Sequence, residues 1–266
     1  MYIGLKVSAA ASLVSLAAGV MVGYFLFSGT ETHEPIKVAN EVVRHENRED
    51  FVFEKSEDDR QSHYIENIEL IHQLPELPTG CEVTSLTMAL RYFGFDAEKT
   101  VIADKYLEKS EVYQGTDNKL YGPDYRYIFA GSPTDDKSSF GCMAPCIVSA
   151  AQKFLEENNA QMSPVDLTGT DFDDLFTLID QDVPVIIWST MSLAAPEYNT
   201  KWRTSEGEEI VWPQNEHCVL LTGYDINANT VRIHDPINGI IILNMDAVRE
   251  RYEQLEKTAV VIIKNK

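Results

Sequence analysis

The chain is poor in basic residues, which limits the partners it can bind. It carries 22 lysines and arginines against 42 aspartates and glutamates, a net charge of -20 over 266 residues. Nucleic-acid binding needs a basic surface that neutralises phosphates. The composition therefore predicts no nucleic-acid partner. If charge selects a partner at all, it favours a cationic peptide.

Cysteine is also scarce, and its spacing indicates no metal site. The four cysteines are Cys81, Cys142, Cys146 and Cys218, and no CxxC pair or cysteine–histidine spacing typical of zinc occurs among them. Cys142 and Cys146 lie on either side of Pro145, an awkward geometry for a disulfide, and a catalytic cysteine would leave an odd number. We expect free thiols, with neither a metal nor a cofactor.

One long apolar run lies near the N-terminus. Residues 7–27 form an uninterrupted run of 21 apolar and small residues, and about 20 are enough to cross a bilayer. A cleaved signal peptide, with a site near 17–19, is the alternative, but its apolar stretch would be shorter. The run predicts an uncleaved, single-pass signal anchor in the cell membrane. Because Lys6 precedes it, residues 1–6 are expected in the cytoplasm and the rest of the chain outside.

The remaining sequence divides into a polar segment and a globular domain. Residues 28–66 are charged and have few apolar residues, which predicts an acidic, flexible stalk. From 67 to 266, helical periodicity comes first and strand patterns follow, so we predict an α+β domain with an antiparallel sheet. The long segment 108–141 is expected to form a wall of the substrate cleft. Predicted helices cover 81–93, 97–107, 145–157, 171–181 and 245–255; predicted strands cover 183–188, 209–212, 217–223, 230–235, 240–243 and 258–263.

The first candidate catalytic residue is Cys81. It follows the tight turn at 78–80 and begins a helix whose apolar positions recur at helical spacing until Gly94 ends it. Unpaired N–H groups and the helix dipole favour a thiolate at this position. A buried structural cysteine is the alternative interpretation.

Two further candidates, His217 and Asp235, lie on the two strands of a predicted hairpin. Both are nine residues from a turn centred near Ile226. This predicts that they are cross-strand neighbours on one face, with Cβ atoms about 4.5–5.5 Å apart. A β-bulge would change which face each occupies. His234 is expected on the opposite face. An aspartate beside a histidine fixes the tautomer of the ring and stabilises its charged form.

Together these residues have the chain order of a papain-like peptidase, in which the nucleophile precedes the base and the base precedes the orienting acid. Such a site needs one more hydrogen-bond donor for the oxyanion. Gln73, eight residues before Cys81, carries a side-chain NH₂ that could reach back to the site. We predict Cys81 as nucleophile, His217 as base, Asp235 as orienter and Gln73 as oxyanion donor.

At these residues the chain resembles the double-glycine leader peptidases that process bacteriocin precursors, and more closely their stand-alone relatives, the peptidase C-39-like proteins. The resemblance covers about 67–266 and implies a papain-like fold, with the nucleophile helix packed on a C-terminal antiparallel sheet and the same four catalytic roles. The substrate does not follow from it, because the chain lacks a transporter region and has Thr79-Gly80 where leader peptidases tend to have aspartate. The matching segments are Gln73, 77–82, 131–133, 217–225 and Asp235-Pro236.

The sequence thus favours a membrane-anchored, extracytoplasmic cysteine peptidase that hydrolyses a peptide bond. An acyl-transfer enzyme or cell-wall amidase of the same fold is an alternative. An inactive peptide-binding module is another, although it would not need the three catalytic residues together. A preference for basic peptides is expected from acidic residues along the cleft, namely Asp124, Asp135, Asp136 and Glu197.

Overall fold

The computed structural model of the chain describes residues 61–265. Within this range no helix is both long enough and apolar enough to span a membrane. The anchor predicted at 7–27 and most of the stalk lie outside the described residues. The description begins with strand β1, Ser62–Tyr64, which pairs with a strand of the main sheet. The sheet therefore includes three residues from the segment that the sequence assigned to the stalk.

The main sheet has seven strands, and all of its pairings are antiparallel. Apart from β1, its strands are β6 (Met162–Asp166), β7 (Val185–Thr190), β10 (Glu216–Asp225), β11 (Thr230–Asp235), β12 (Gly239–Asn244) and β13 (Ala259–Lys264). Across the sheet they run β12-β11-β10-β7-β13-β6, and β1 pairs with β10. Strands β7 and β10 are almost entirely buried because they are central and covered on both faces.

Two smaller sheets form beside the main one. Strands β3 (Tyr113–Gln114), β4 (Leu120–Tyr121), β8 (Thr200–Arg203) and β9 (Glu209–Trp212) make a four-stranded sheet, and β2 (Lys109–Ser110) pairs with β5 (Phe129–Ala130). Trp202 and Trp212 are buried in the larger of these, with Tyr125 and Phe140 packed against them. The segment 108–141, predicted as a wall of the substrate cleft, supplies short strands and aromatic packing.

The helices are α1 (Cys81–Tyr92), α2 (Lys99–Val101), α3 (Ala144–Glu157), α4 (Phe176–Ile179) and α5 (Met245–Gln254). Helix α1 is buried on every side from Cys81 to Leu90, as expected of a helix in the middle of a core. It packs mainly against β10. The predicted α+β class, with the Cys81 helix on an antiparallel sheet, is confirmed.

Three local predictions differ from the structure. The helix predicted over 97–107 is a short α-helical turn, α2, followed by a π-helix at Ile102–Tyr106. The helix predicted over 171–181 is divided into a 3₁₀ turn at Phe172–Leu175 and α4. Strand β6 was not predicted at all. It is an edge strand of five residues with a proline, and its sequence carries little strand signal.

Candidate active site

Cys81 is held at the start of α1 by the tight turn before it. The N–H of Gly80 donates to Leu77 O at 3.0 Å, and Gly80 O accepts the first helical bond from Thr84 N at 3.0 Å. A Cβ on Gly80 would lie 2.7 Å from Leu77 Cβ, so only glycine fits this turn. The sequence position of the turn therefore sets the position of the Cys81 thiol.

The loop at 131–133, part of the sequence resemblance, supports the same turn from outside. Thr79 N donates to Pro133 O at 3.2 Å, and Thr79 Oγ1 donates to Ser132 O at 3.2 Å. Gly131 has a φ of +103°, and a Cβ there would lie 2.6 Å from Ser139 Cα. The loop thus depends on a glycine for both its backbone conformation and its packing.

Replacing Gly131 with alanine should therefore destabilise the fold more than replacing Gly94. Gly94 also has a positive φ, +90°, but has open space around its Cα, so the alanine variant there meets backbone strain alone. We expect Gly94→Ala to lower the free energy of unfolding by about 1–2 kcal/mol. Gly131→Ala should lower the free energy of unfolding by a further ~1–3 kcal/mol, because its new Cβ would clash with Ser139. Urea unfolding of the two variants measures this difference, and equal losses would contradict the role given to the contact.

His217 and Asp235 form a buried hydrogen-bonded pair. His217 Nε2 lies 2.9 Å from Asp235 Oδ1, and each residue is 4% exposed. The second ring nitrogen, Nδ1, takes no part in this hydrogen bond. The tautomer that donates from Nε2 to the carboxylate has Nδ1 free to accept a proton. The predicted histidine–aspartate pair is present in the structure.

The strand register that forms this pair differs from the predicted one. Near the turn, Gly223 pairs with Arg232. The register then shifts by one residue between Leu221 and Gly223, so that further along the strands Leu220 pairs with His234. Extending this register puts Asp235 opposite Val219, so Asp235 and His217 are diagonal neighbours rather than directly opposite. Without the shift, Asp235 would lie opposite Leu220 and on the other face from His217. The β-bulge at Thr222 therefore brings the two side chains to one face.

The surroundings of Asp235 favour its ionised form. Burial alone would raise the pKa of this carboxyl, but the hydrogen bond from His217 and those from Asn238 and Ile237 hold the pKa well below its ordinary value. Asp235 Oδ1 accepts from Ile237 N at 2.8 Å, and Oδ2 accepts from Asn238 Nδ2 at 2.9 Å. Asn238, which the sequence did not single out for the site, thus helps to orient the acid.

The Cys81 thiol lies beside the start of β10. Its Sγ accepts a hydrogen bond from the N–H of Cys218, the residue after His217, at 3.4 Å, and donates to Glu82 Oε2 at 3.4 Å. Within the described residues, the thiol's hydrogen bonds are thus with Glu82 and Cys218. The four cysteines all carry free thiols, as predicted.

Electrostatics at Cys81 oppose the effect expected of a helix N-terminus. Burial, together with the charges of Glu82 and Glu216, raises the pKa of the Cys81 thiol well above its ordinary value. The helix start alone predicted a thiolate-favouring position, and the buried surroundings reverse that direction in this structure. Burial raises the pKa of Glu82 to about 7, and burial with the nearby Glu82 charge raises that of Glu216.

Glu82 and Glu216 were not singled out from the sequence. Glu82 is completely buried, and its Oε1 accepts from Cys142 N at 2.8 Å. The available signal was an acidic residue in the first turn of a helix whose next charged residue is Arg91, in the last turn. For Glu216, which directly precedes a run of buried strand residues, the signal was weaker.

Gln73 is buried near the turn rather than free in a loop. Its Nε2 donates to Pro78 O at 2.8 Å, while its buried Oε1 has no hydrogen-bond partner in the described part of the chain. Its backbone N–H donates to Pro236 O at 2.9 Å, so this segment is joined to the loop that follows Asp235. Gln73 therefore lies between the two halves of the site.

A cavity opens next to the histidine–aspartate pair. Besides His217 and Asp235, its wall includes Ser189, whose buried Oγ has no hydrogen-bond partner among residues 61–265. Ser189 is the direct cross-strand neighbour of His217. Most of the remaining wall is apolar, formed by Leu193, Val219, Ile233, Ile241, Leu243 and Val248.

Comparisons with known proteins identify the family of this chain. The sequence profile of the Peptidase_C39 like family matches residues 65–260, which include all four predicted catalytic residues. The chain belongs to this family. The solved structure of a protein from Bacillus anthracis classed as C39-like superimposes with a TM-score of 0.67 at 28% identity, covering 78% of this chain and all of that one.

A curated relative of this C39-like protein is the uncharacterized protein YvpB of Bacillus subtilis (strain 168). It is 29% identical over 167 residues, which cover 61% of this chain. The match spans 60% of the length of YvpB. The chain therefore has a cysteine-peptidase fold, as the sequence resemblance implied.

Proposed function

We propose that this C39-like protein is a cysteine peptidase that hydrolyses a peptide bond. The observation that carries the proposal is the buried His217–Asp235 pair at 2.9 Å, with the Cys81 thiol beside the next N–H along the same strand. A thiol, a histidine and an orienting carboxylate are the groups of nucleophilic acyl chemistry. In line with the predicted anchor at 7–27, we propose that the enzyme acts outside the cell while attached to the membrane.

The first chemical step transfers the acyl group to sulfur. The Cys81 thiol turns from Glu82 towards the ring and gives its proton to His217 Nδ1, and Sγ then attacks the substrate carbonyl carbon. The negative oxygen of the tetrahedral intermediate accepts hydrogen bonds from N–H groups at the start of α1 and from the Gln73 NH₂, whose second hydrogen is not used by Pro78. His217 returns its proton to the leaving amine as the C–N bond breaks.

The second step releases the acyl group. His217 Nδ1 takes a proton from water, and the hydroxide oxygen bonds to the thioester carbonyl carbon. The C–S bond then breaks, and His217 returns its proton to the sulfur to restore the Cys81 thiol. Asp235 stays ionised and holds the ring in place throughout. If an amine took the place of water, the same groups would carry out the acyl transfer that the sequence left as an alternative.

The cavity beside His217 favours a particular kind of peptide. Its mainly apolar wall suits an apolar side chain next to the bond that is cut, and Ser189 Oγ can supply one hydrogen bond. The preference for basic peptides stays a second proposal. Two of its four acidic residues, Asp124 and Asp135, hydrogen-bond within their own loops, to Arg126 and Ser138.

The test is digestion of a proteome-derived peptide library with the full-length chain, and mass spectrometry of the new termini. We expect cuts next to apolar residues, with neighbouring basic residues enriched. His217→Ala, made in parallel, should give no new termini. With an added primary amine, amide products in place of free carboxyl termini would favour acyl transfer instead. Identical product lists from both proteins would contradict a peptidase and favour the binding module.

A further inference from the structure

Cys81, Glu82 and Glu216 form a compact buried cluster. One possible ligand atom from each, the thiol sulfur and a carboxylate oxygen from each glutamate, lies within 4.8 Å of the other two. The three residues are at most 9% exposed. They come from two elements, since Cys81 and Glu82 begin α1 and Glu216 begins β10.

The protein is built to hold Glu82 at this position. Its Oε1 is fixed by the N–H of Cys142, which leaves Oε2 directed at the Cys81 sulfur. A Cβ on Gly141 would lie 2.5 Å from Glu82 Oε1 and 2.9 Å from Trp212 Cη2. The absence of a side chain at residue 141 therefore makes the space that the carboxylate occupies.

Glu216 is the unsatisfied member of the cluster. The residue is more than nine-tenths buried. Its buried Oε1 has no hydrogen-bond partner within residues 61–265. A buried carboxylate without a partner is unfavourable unless it holds a proton or meets a cation. The Glu82 carboxylate accepts hydrogen bonds from an N–H and from a thiol. Within the described region, neither Glu82 nor Glu216 forms an ion pair with a basic side chain.

We propose that Cys81, Glu82 and Glu216 bind a divalent metal ion of the zinc type. One thiolate and two carboxylates suit Zn²⁺, which accepts sulfur and oxygen ligands with bonds of about 2.0–2.3 Å. Tetrahedral bonds of that length put ligand atoms roughly 3.5 Å apart, and Cys81 Sγ and Glu82 Oε2 are already 3.4 Å apart. The Glu216 ligand atom lies within 4.8 Å of the other two, so it has to approach by at most about 1.3 Å to complete the set.

Metal binding would block the Cys81 sulfur. As the metal–sulfur bond forms, the thiol proton leaves to solvent together with any proton held by Glu82 or Glu216, so both carboxylates bind as anions. Three negative ligands and a divalent cation leave one net negative charge at the site. Without the cation, the same three ionised groups would carry three. The metal withdraws electron density from the sulfur and holds it among the carboxylates, away from the substrate carbonyl, so under the proposed function the metal-bound form is inactive. Binding itself does not depend on that function.

The test measures metal binding without any substrate. Zn²⁺ is added to the reduced, full-length protein, which is then treated with a thiol reagent, and the modified cysteine is identified by mass. We expect Zn²⁺ to slow labelling of Cys81 at least tenfold and a chelator to restore it. With Co²⁺ as the probe, a thiolate-to-metal absorption band should appear, and it should be lost in Cys81→Ser.

A matched pair of variants tests whether the Glu216 carboxylate binds the metal. Glu216→Gln should raise the Kd for Zn²⁺ at least about tenfold, since loss of even an outer partner costs 10- to 100-fold. Glu206→Gln, an exposed position with the same chemical change, should leave Kd unchanged. If Glu216→Gln does not fold, the wild-type labelling and the Cys81→Ser absorption test remain decisive.

Three results would overturn the proposal: labelling of Cys81 unaffected by Zn²⁺, a Co²⁺ band that survives in Cys81→Ser, or equal Kd values for Glu216→Gln and Glu206→Gln. The last would mean that Glu216 holds a proton instead. Failure of the peptidase proposal is distinguishable, because a chain that binds zinc and cleaves no peptide contradicts that proposal alone.

Discussion

Replacing Cys81 with serine is expected to lower kcat/KM for peptide cleavage by at least about 10⁴-fold. The hydroxyl that results is a much poorer nucleophile than the thiol, and the neighbouring carboxylates give it no help in losing its proton. The fold should not change, because within residues 61–265 the thiol makes two weak hydrogen bonds, both of which a hydroxyl can form. Steady-state cleavage of a peptide selected from the library measures the effect.

The matched control for this prediction is Cys146→Ser. Cys146 is as deeply buried as Cys81, and its thiol contacts Glu108 O at 3.7 Å, so the same atom is exchanged in a comparable environment. We expect this variant to retain wild-type kcat/KM. The double variant Cys81→Ser with His217→Ala should be no slower than the worse single variant, because the two residues act as one unit. Additive losses would mean that His217 does not serve Cys81.

The sequence predicted the elements of the site well because each has a strong local signal. A glycine-containing turn before an apolar helix placed Cys81 at a helix start, and α1 begins at that residue. Two strand patterns around a turn placed His217 and Asp235 on neighbouring strands, which are β10 and β11. Local pattern was sufficient at both positions because burial of the apolar face decides which element forms.

The details of the site required tertiary information. The bulge at Thr222 depends on how β1, β10 and β11 pack together. A Cβ on Gly223 would lie 2.9 Å from His63 O, so the close approach of β1 uses the glycine beside the bulge. No local pattern reports such a contact, and the predicted register was two residues from the observed one. His217 and Asp235 nevertheless share a face, because side chains alternate along a strand and a register error of two residues leaves each on the predicted side.

The electrostatics of the site were the least predictable feature. From the sequence, Cys81 had a helix dipole and His217 as its predicted partner, but no predicted carboxylate neighbours. The structure adds Glu82 from the same helix and Glu216 from a strand 135 positions further along the chain. Burial of three groups that can all be negative outweighs the dipole, so the thiol rather than the thiolate is favoured at rest. Under the proposed function, the proton therefore leaves Cys81 only when substrate and His217 are in place.

Asp235→Asn is the second variant with a large expected effect, on activity and on the pH dependence of stability. Loss of the charge that orients His217 should lower kcat by about 10²- to 10⁴-fold. At neutral pH the free energy of unfolding should fall by about 2 kcal/mol, the scale of a hydrogen bond to a charged group. The amide NH₂ would also face Asn238 Nδ2, so that a donor meets a donor where Oδ2 now accepts.

The sign of the pH effect follows from the lowered pKa of Asp235. A carboxyl with a lower pKa in the folded chain than in the unfolded one, about 3.9, stabilises the fold fully above that unfolded value. The stabilisation is lost as the pH falls towards the folded pKa. The stability difference between wild type and Asp235→Asn should therefore be constant from about pH 6 to 8 and shrink below about pH 4.

Urea unfolding of both proteins across this pH range measures the difference. Asp136→Asn makes the same chemical change at an exposed position and should show no such pH dependence. A stability gap for Asp235→Asn that is as large at pH 3 as at pH 7 would mean that the carboxyl is not held ionised by His217. The base would then lack its orienting charge, and the histidine–aspartate contact would be structural rather than catalytic.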